Sequence, residues 1–344
     1  MRKNKPLFAV MATIFMLSLF LAACGGTSGG TSSTTSNSSE TAAPASETAA
    51  KQDEKAATTA ENSTRSFETS KGTIQIPTKP KRIVTDYYGG ELIAVGGNVV
   101  GVEPEAFKNP FIIEQLKKSN AQDVGTPVNV EKVLETAPDL IVVMYDKNYD
   151  ALSKIAPTLY LPYGTTTNIY DTVRLFGDIV GDKEKAEQFL ADFDKKAAEG
   201  RAKLKGVIDE NATVGLYELT NKGELWIFGD NAGRGGQTVY NALKMKMPHI
   251  DKASEQTVQL SMETLPQYAA DYMFLTYYNP DQKEEALNNL TSSAIWKGLP
   301  AFKKNQIFFN DFDTYYRYDP IAVTAQIDLF VDMLLKRAEE NKKK

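Results

Sequence analysis

The stretch Gly229–Pro248 reads GDNAGRGGQTVYNALKMKMP. Glycines crowd around one arginine, Arg234, and a helical pattern follows over Gln237 to Leu243. Such a glycine density suits a phosphate-cradling loop, yet the nucleotide signatures fail. A P-loop ends in GK[ST], and a dinucleotide loop needs GxGxxG after a strand. Here Gly236 is followed by Gln237, Thr238 and Val239. Turning and close backbone packing account for the glycines, but not for an arginine among them. Backbone N–H groups at a helix N-terminus favour anions, and Arg234 beside one adds a planar charged donor. The stretch reads as an anion-recognising loop without catalytic machinery.

Outward from this loop, short apolar runs alternate with helical spacing. Arg82–Thr85, Asn98–Val102, Asp139–Met144 and Thr158–Leu161 have strand length and strand composition, with helix-like pieces at Glu91–Ala94, Ile112–Lys118 and Val130–Ala137. Strands separated by helices argue for α/β layers with parallel sheets. The rhythm then changes. Asn168–Val180 has a helical pattern, and Asp182–Leu204 is polar with apolar residues at Ala186, Phe189, Leu190, Phe193 and Ala197. After it come further strands at Thr213–Leu219, Leu225–Phe228, Tyr272–Thr276 and Gln306–Asn310, then a last helix over Ile321–Arg337. The pattern predicts two α/β lobes with a helical connection: an N-terminal lobe over 66–170, a connecting region over 171–204 and a C-terminal lobe over 205–344.

The start of the chain has a different character. Arg2, Lys3 and Lys5 precede an apolar run ending in LAAC, Leu21–Cys24. A basic start, a short apolar core and small residues before a cleavage point make a secretory signal over 1–23 rather than a spanning helix. Cys24 is the chain's single cysteine, and its position resembles the lipidation site of bacterial lipoproteins, which anchors a soluble domain to a membrane. Residues 24–65 are rich in Ser, Thr, Ala and Glu without apolar periodicity, so they read as a disordered tether. The expectation is a lipid-anchored protein on the extracellular face of a cell membrane, in a Gram-positive bacterium.

Several function classes are disfavoured. The net charge of −5 lacks the basic footprint of a nucleic-acid binder. The single histidine, His249, follows Pro248; GxSxG and HExxH motifs are absent, and a zinc cluster of nitrogen and sulfur ligands has too few donors. The expectation is a binder rather than an enzyme, without a resident cofactor. Aromatic residues point to what is bound. Tyr87 and Tyr88, Tyr145, and Tyr277 and Tyr278 follow strand ends, where α/β proteins bind ligands. Trp226 and the late run DTYYRYDP, Asp313–Pro320, add to them. These side chains suit a wide aromatic cleft with Arg234 and Arg317 on its wall, fitted to a bulky, partly polar ligand.

Taken in order, PKRIVTDYYGGELIAVG, VEKVLETAPDLIVVMYDKN, LSKIAPTLYL, GDNAGRGGQTVYNALKMKMP, METLPQYAADYMFLT and DTYYRYDP resemble the iron-siderophore substrate-binding lipoproteins of ABC importers. The resemblance spans about Phe67 to Glu340 and is nearest to the hydroxamate-siderophore binders of Gram-positive surfaces. It implies two α/β sandwich lobes joined by one long rigid helix, placed around Asp171–Val180 and into the following segment, with the ligand between the lobes. It assigns Arg234 to the iron-hydroxamate oxygens, with Trp226, Tyr87, Tyr145 and Tyr316 as the aromatic walls. Ala232 stands where close relatives carry tryptophan, and Arg317 where an uncharged aromatic is expected. Together these open the cleft and add charge, leaving room for a more anionic ligand: ferric citrate, a catecholate or, less readily, haem. The resemblance also implies that Glu131 and Glu263, one on each lobe, dock an ABC permease and its ATPase. A monomer suffices for all of this.

Overall fold

The computed structural model describes residues 63–250 and 256–343. The leader, Cys24 and most of the proposed tether lie outside them. The chain enters through a hairpin, β1 (Thr64–Thr69) and β2 (Gly72–Pro77), paired antiparallel. Thr64 and Arg65, placed in the tether on sequence, therefore belong to the folded part. The strand TRSFET is mostly polar, which hides it, but Phe67 is buried and Arg65 pairs with Asp178 at the end of a helix.

The first sheet is built from β3 (Ile83–Thr85), β4 (Val99–Val102), β5 (Gln122–Asp123), β6 (Leu140–Val143) and β7 (Thr158–Tyr160). Its order is β5-β4-β3-β6-β7 and every pairing is parallel. IVT, VVGV and LIVV are buried at every position, as expected of strands covered on both faces. The chain order reverses between β3 and β6, which opens a crevice at their carboxyl ends. The second sheet contains β8 (Val214–Thr220), β9 (Leu225–Phe228), β10 (Thr257–Leu260), β11 (Tyr272–Tyr278) and β12 (Ile307–Asp311), in the order β10-β9-β8-β11-β12. Here β8, β11 and β12 are parallel, and β9 and β10 run antiparallel along one edge. The carboxyl ends of β8 and β11 supply the second wall of the crevice.

The region expected over 171–204 resolves into two helices, Ile169–Val180 and the 22-residue Lys183–Leu204. Gly181 adopts a left-handed conformation that ends the first, and the Asp182 side chain caps the second; this is the stop-and-start chemistry of helix termini. The long helix begins against the first, where Gly177 touches Ala186, and ends with Gly200 against Leu243, Ile327 and Val331 of the second lobe. The C-terminal helix, Pro320–Lys342, is a second brace: it packs on both Lys183–Leu204 and the Gly89–Ala94 helix of the first lobe. One apolar core runs through this helical layer, from Ile83 and Leu92 to Leu216, Phe274 and Phe330. Two smaller cores cover the far face of each sheet, around Trp296 in one lobe and Ile141 in the other. Among the described residues no helix is long and apolar enough to cross a membrane.

Candidate functional site

The crevice between the lobes is a cleft with a cavity volume of about 770 Å³, within the range of small-ligand sites. Five of the six side chains singled out from the sequence line it: Tyr87, Tyr145, Arg234, Tyr316 and Arg317. Trp226 does not. It sits half-buried on β9, in register with Glu218 and Gln259, while Phe228, two residues on and so on the same face, lies under Arg234.

The first wall is set by the end of β3. The Thr85 hydroxyl accepts the amide N–H groups of Tyr87 and Tyr88, turning the chain into the cleft. The Asp86 carboxylate reaches across to β6, accepting from the amides of Met144 (2.7 Å) and Tyr145 (3.1 Å). This single acid fixes both strand ends and so positions both tyrosines. Burial raises its pKa to about 6, against those two hydrogen bonds. Tyr145 stands 60% exposed at the mouth. Tyr87 is deeper, and its hydroxyl is hydrogen-bonded to that of Tyr318 from the other lobe.

The second wall is an aromatic ladder around Arg234. Phe312 stacks on Tyr316 with ring centroids 4.7 Å apart, and Tyr278 lies tilted against Phe312, with centroids 4.6 Å apart. The Arg234 guanidinium lies 4.5 Å from the Phe228 ring, 4.8 Å from Tyr316 and 5.8 Å from Phe312, a cation–π arrangement. Its Nε and Nη2 both donate to Oε2 of the buried Glu218, at 2.7 Å and 2.5 Å. Burial pushes the Glu218 carboxyl up, and the arginine pulls it back. Arg234 has φ of +68°, and its glycine neighbours allow the loop to be this tight. A side chain at Gly235 would meet the Phe330 ring, and one at Gly233 the Tyr316 carbonyl. The helical pattern after the loop folds as a short π-type turn, Gln237–Ala242, in which the Leu243 N–H donates to the Thr238 carbonyl. Gly233, Gly235 and Gly236 do not line the cleft. The backbone cradle anticipated for an anion is therefore not on its wall; Arg234 alone projects there, already neutralised by Glu218.

Arg317 also differs from the expectation of added free charge. Its Nη2 donates to the Glu105 carbonyl of the first lobe (3.0 Å), and Asp313 lies at 4.0 Å. It fastens the lobes together. Asn109 does the same, donating to Asp319 at 3.0 Å. Lys108, the third cation of the cleft, is paired with Glu105 at 2.9 Å. The lining thus holds seven carboxylates against three cations, and each cation already has a carboxylate partner. A more anionic ligand would meet net negative charge.

The remaining sequence candidates lie elsewhere. Glu131 is exposed in the first turn of the Val130–Glu135 helix, and Glu263 is exposed in the turn after β10. Neither lines the cleft, and they sit on different lobes. His249 is exposed and outside the cleft. Among the described residues no group of three or more His, Cys, Asp or Glu is arranged to hold a metal ion. Sequence reasoning missed Asp86, Glu91, Glu218 and Phe312. Phe312 carried a legible signal, since it follows strand β12 as the chosen tyrosines follow theirs.

Comparison with known proteins agrees with this architecture. Over its full length the chain is 49% identical to the iron(3+)-hydroxamate-binding protein YxeB of Bacillus subtilis, with all of both chains covered. Among solved structures, the FhuD protein of S. pseudintermedius superposes with a TM-score of 0.69 at 29% identity, covering 80% of this chain and 99% of that one. FhuD2 of Staphylococcus aureus with bound ferrioxamine B gives 0.65 at 29% identity, covering 75% and 100%. SirA of Staphylococcus aureus complexed with staphyloferrin B gives 0.66 at 28%, covering 80% and 98%. The last two hold different ligands in similar folds, so the fold by itself does not choose the ligand. Residues 92–314 match the family described as periplasmic binding protein, and the chain belongs to that family.

Proposed function

We propose that this protein captures a ferric hydroxamate siderophore in the interlobe cleft and delivers it to an ABC permease, breaking no bond. The observation that carries the reading is Arg234, held in a cage of Phe228, Phe312 and Tyr316 with Glu218 as its counter-ion. A ferric ion wrapped by three hydroxamates is neutral overall and presents oxygens outward. A charge-compensated guanidinium with N–H donors remaining suits such a surface, and the aromatic walls suit its organic shell. The iron arrives already chelated, so the protein supplies no metal ligands and no resident cofactor. The 49% identical relative, by its name an iron(3+)-hydroxamate-binding protein, supports the same ligand class. Ferric citrate and catecholates are disfavoured by the excess of carboxylates lining the cleft; haem would find no histidine there, and only the lining tyrosines could serve as its axial ligand.

Lipidation at Cys24 would hold the protein at the outer face of the cell membrane, as a monomer within reach of its permease. Glu131 and Glu263 are the docking charges in this reading. Calorimetric titration of the full chain with ferric desferrioxamine B, ferrichrome, ferric citrate, a ferric catecholate and haem tests the ligand class. Saturable binding of the hydroxamates, weakened about 30-fold or more by Arg234→Ala as for a central hot-spot side chain, is expected. Binding of citrate or catecholate with silence toward the hydroxamates would overturn the assignment.

A further inference from the structure

The three cations of the cleft consume three of its seven carboxylates, and four remain: Asp86, Glu91, Glu103 and Asp319. Three of these are satisfied by hydrogen bonds. Asp86 accepts from the amides of Met144 and Tyr145. Glu103 accepts from the Ala106 amide. Asp319 accepts from Asn109 and from the Ala322 amide, capping the C-terminal helix. Glu91 is different. It is only 6% exposed, and among the described residues no other residue's donor hydrogen-bonds its carboxylate. It lines the main cleft and also an adjoining cavity of about 260 Å³. Tyr87 and Tyr318, joined by their hydroxyls, line both cavities with it.

Its carboxylate accepts from its own amide alone and has no cation beside it, so its charged form is poorly compensated and, at a ligand-facing wall, is suited to a partner brought from outside. The partner must be a cation, because the surrounding field is negative. It must also be small, because the wall is closely packed: a side chain at the adjacent Gly90 would overlap Asp319. An alkylammonium meets both demands, offering three donors on a slender stem, and the hydroxyls of Tyr87 and Tyr318 beside it can accept from those donors.

We infer that Glu91 forms a subsite for a protonated amine carried on an arm of the bound chelate, so that the protein prefers ammonium-bearing ferric hydroxamates to neutral ones. This rests on the hydroxamate reading above. The arm extends from the chelate in the larger cleft toward the smaller cavity, and Glu91 meets it where the two adjoin.

The subsite has a proton signature. The groups that interact electrostatically with Glu91 are Asp319 and Glu103 together with Tyr87, Tyr88 and Tyr318, while Asp86, Asn109 and Arg317 share the cleft wall with it. Burial first, then Asp319, raises the Glu91 pKa to about 8. Below that pH the empty site holds a proton, which an entering ammonium must expel. An alkylammonium stays charged throughout, near pKa 10. Preference for the amine therefore grows as pH rises toward 8 and levels above it.

The test compares ferric desferrioxamine B with its N-acetylated form, which keeps the chelate and removes the charge. Calorimetry of the full chain at pH 6.5 and 8.5, in buffers of differing ionisation enthalpy, reads affinity and proton release together. The expected result is a preference of about tenfold or more for the amine at pH 8.5, smaller at pH 6.5, with a proton released at the lower pH. Glu91→Gln should bring the ratio near one. Equal affinities in the wild type, or a ratio that survives Glu91→Gln, overturns the subsite while leaving the hydroxamate reading intact. Weakening of both chelates alike by Glu91→Gln also overturns it, since Glu91 would then act on the chelate rather than on the arm. If neither chelate binds, both readings fall. Should Glu91→Gln fail to fold, the wild-type pH series still decides, because a pH-independent ratio excludes a titrating counter-ion.

Discussion

Glu91 and Arg234 are opposite solutions to placing charge in a half-dry cleft. Arg234 is compensated within the protein by Glu218; Glu91 is not, and it retains a proton instead. The sign of the consequence follows from linkage. Its folded pKa of about 8 lies above the ordinary 4.5. The folded state therefore holds a proton that the unfolded state releases between those values, and stability falls as pH rises from about 4.5 to 8. Glu91→Gln removes that fall. Its melting temperature should exceed the wild type by several degrees at pH 9, with the gap closing toward pH 4, as followed by circular dichroism. A gap that is constant with pH would show that Glu91 does not carry the proton. Neither Glu91 nor Glu218 was legible in the sequence as a cleft residue. A glutamate in a predicted helix or strand reads as a solvated one, and only the tertiary fold brings it under cover. The tyrosines were legible because they follow apolar strands directly, and the carboxyl ends of parallel strands are where α/β crevices open. Arg317 was legible as a cleft residue but not in its role, since its carbonyl partner Glu105 is 212 residues away.

The Gly229–Gly236 loop shows how an element is fixed by what surrounds it. Its glycines were readable as tight packing, and the structure supplies the neighbours: Phe330 at Gly235 and the Tyr316 carbonyl at Gly233. Gly235 also has φ of +97°. Gly235→Ala should thus cost about 1–3 kcal/mol from strain and overpacking together, lowering the denaturant midpoint in a urea titration. An unchanged midpoint would mean that Phe330 yields freely. Most strands and the two connecting helices matched their sequence patterns because buried parallel strands are continuous apolar runs. The hairpin of β1 and β2 did not, since only Phe67 and Ile76 along it are buried. Strand β10 was missed for a similar reason: only Leu260 in it is buried.

At the scale of the whole molecule, the lobes are coupled by more than a linker. Two long helices and one apolar core run between them, and Arg317 and Asn109 cross the cleft at its rim and floor. Closure around a ligand is accordingly a small adjustment rather than a wide swing. The separation of Glu131 and Glu263 should then change little, as the proposed docking of both on one permease requires. Reversing both, Glu131→Lys with Glu263→Lys, should abolish uptake of a radiolabelled ferric hydroxamate by cells while leaving its affinity for the purified protein within about twofold, as for surface changes outside a binding site. Uptake that persists would remove these residues from the docking surface. The C-terminal helix, which follows its capping residue Asp319 in the cleft and packs on helices of both lobes, also ties the cleft to the integrity of the whole chain. A cut that removed it would strip packing from both lobes and a residue from the cleft wall at once, so the lobes are expected to lose their ligand-ready arrangement together rather than one at a time.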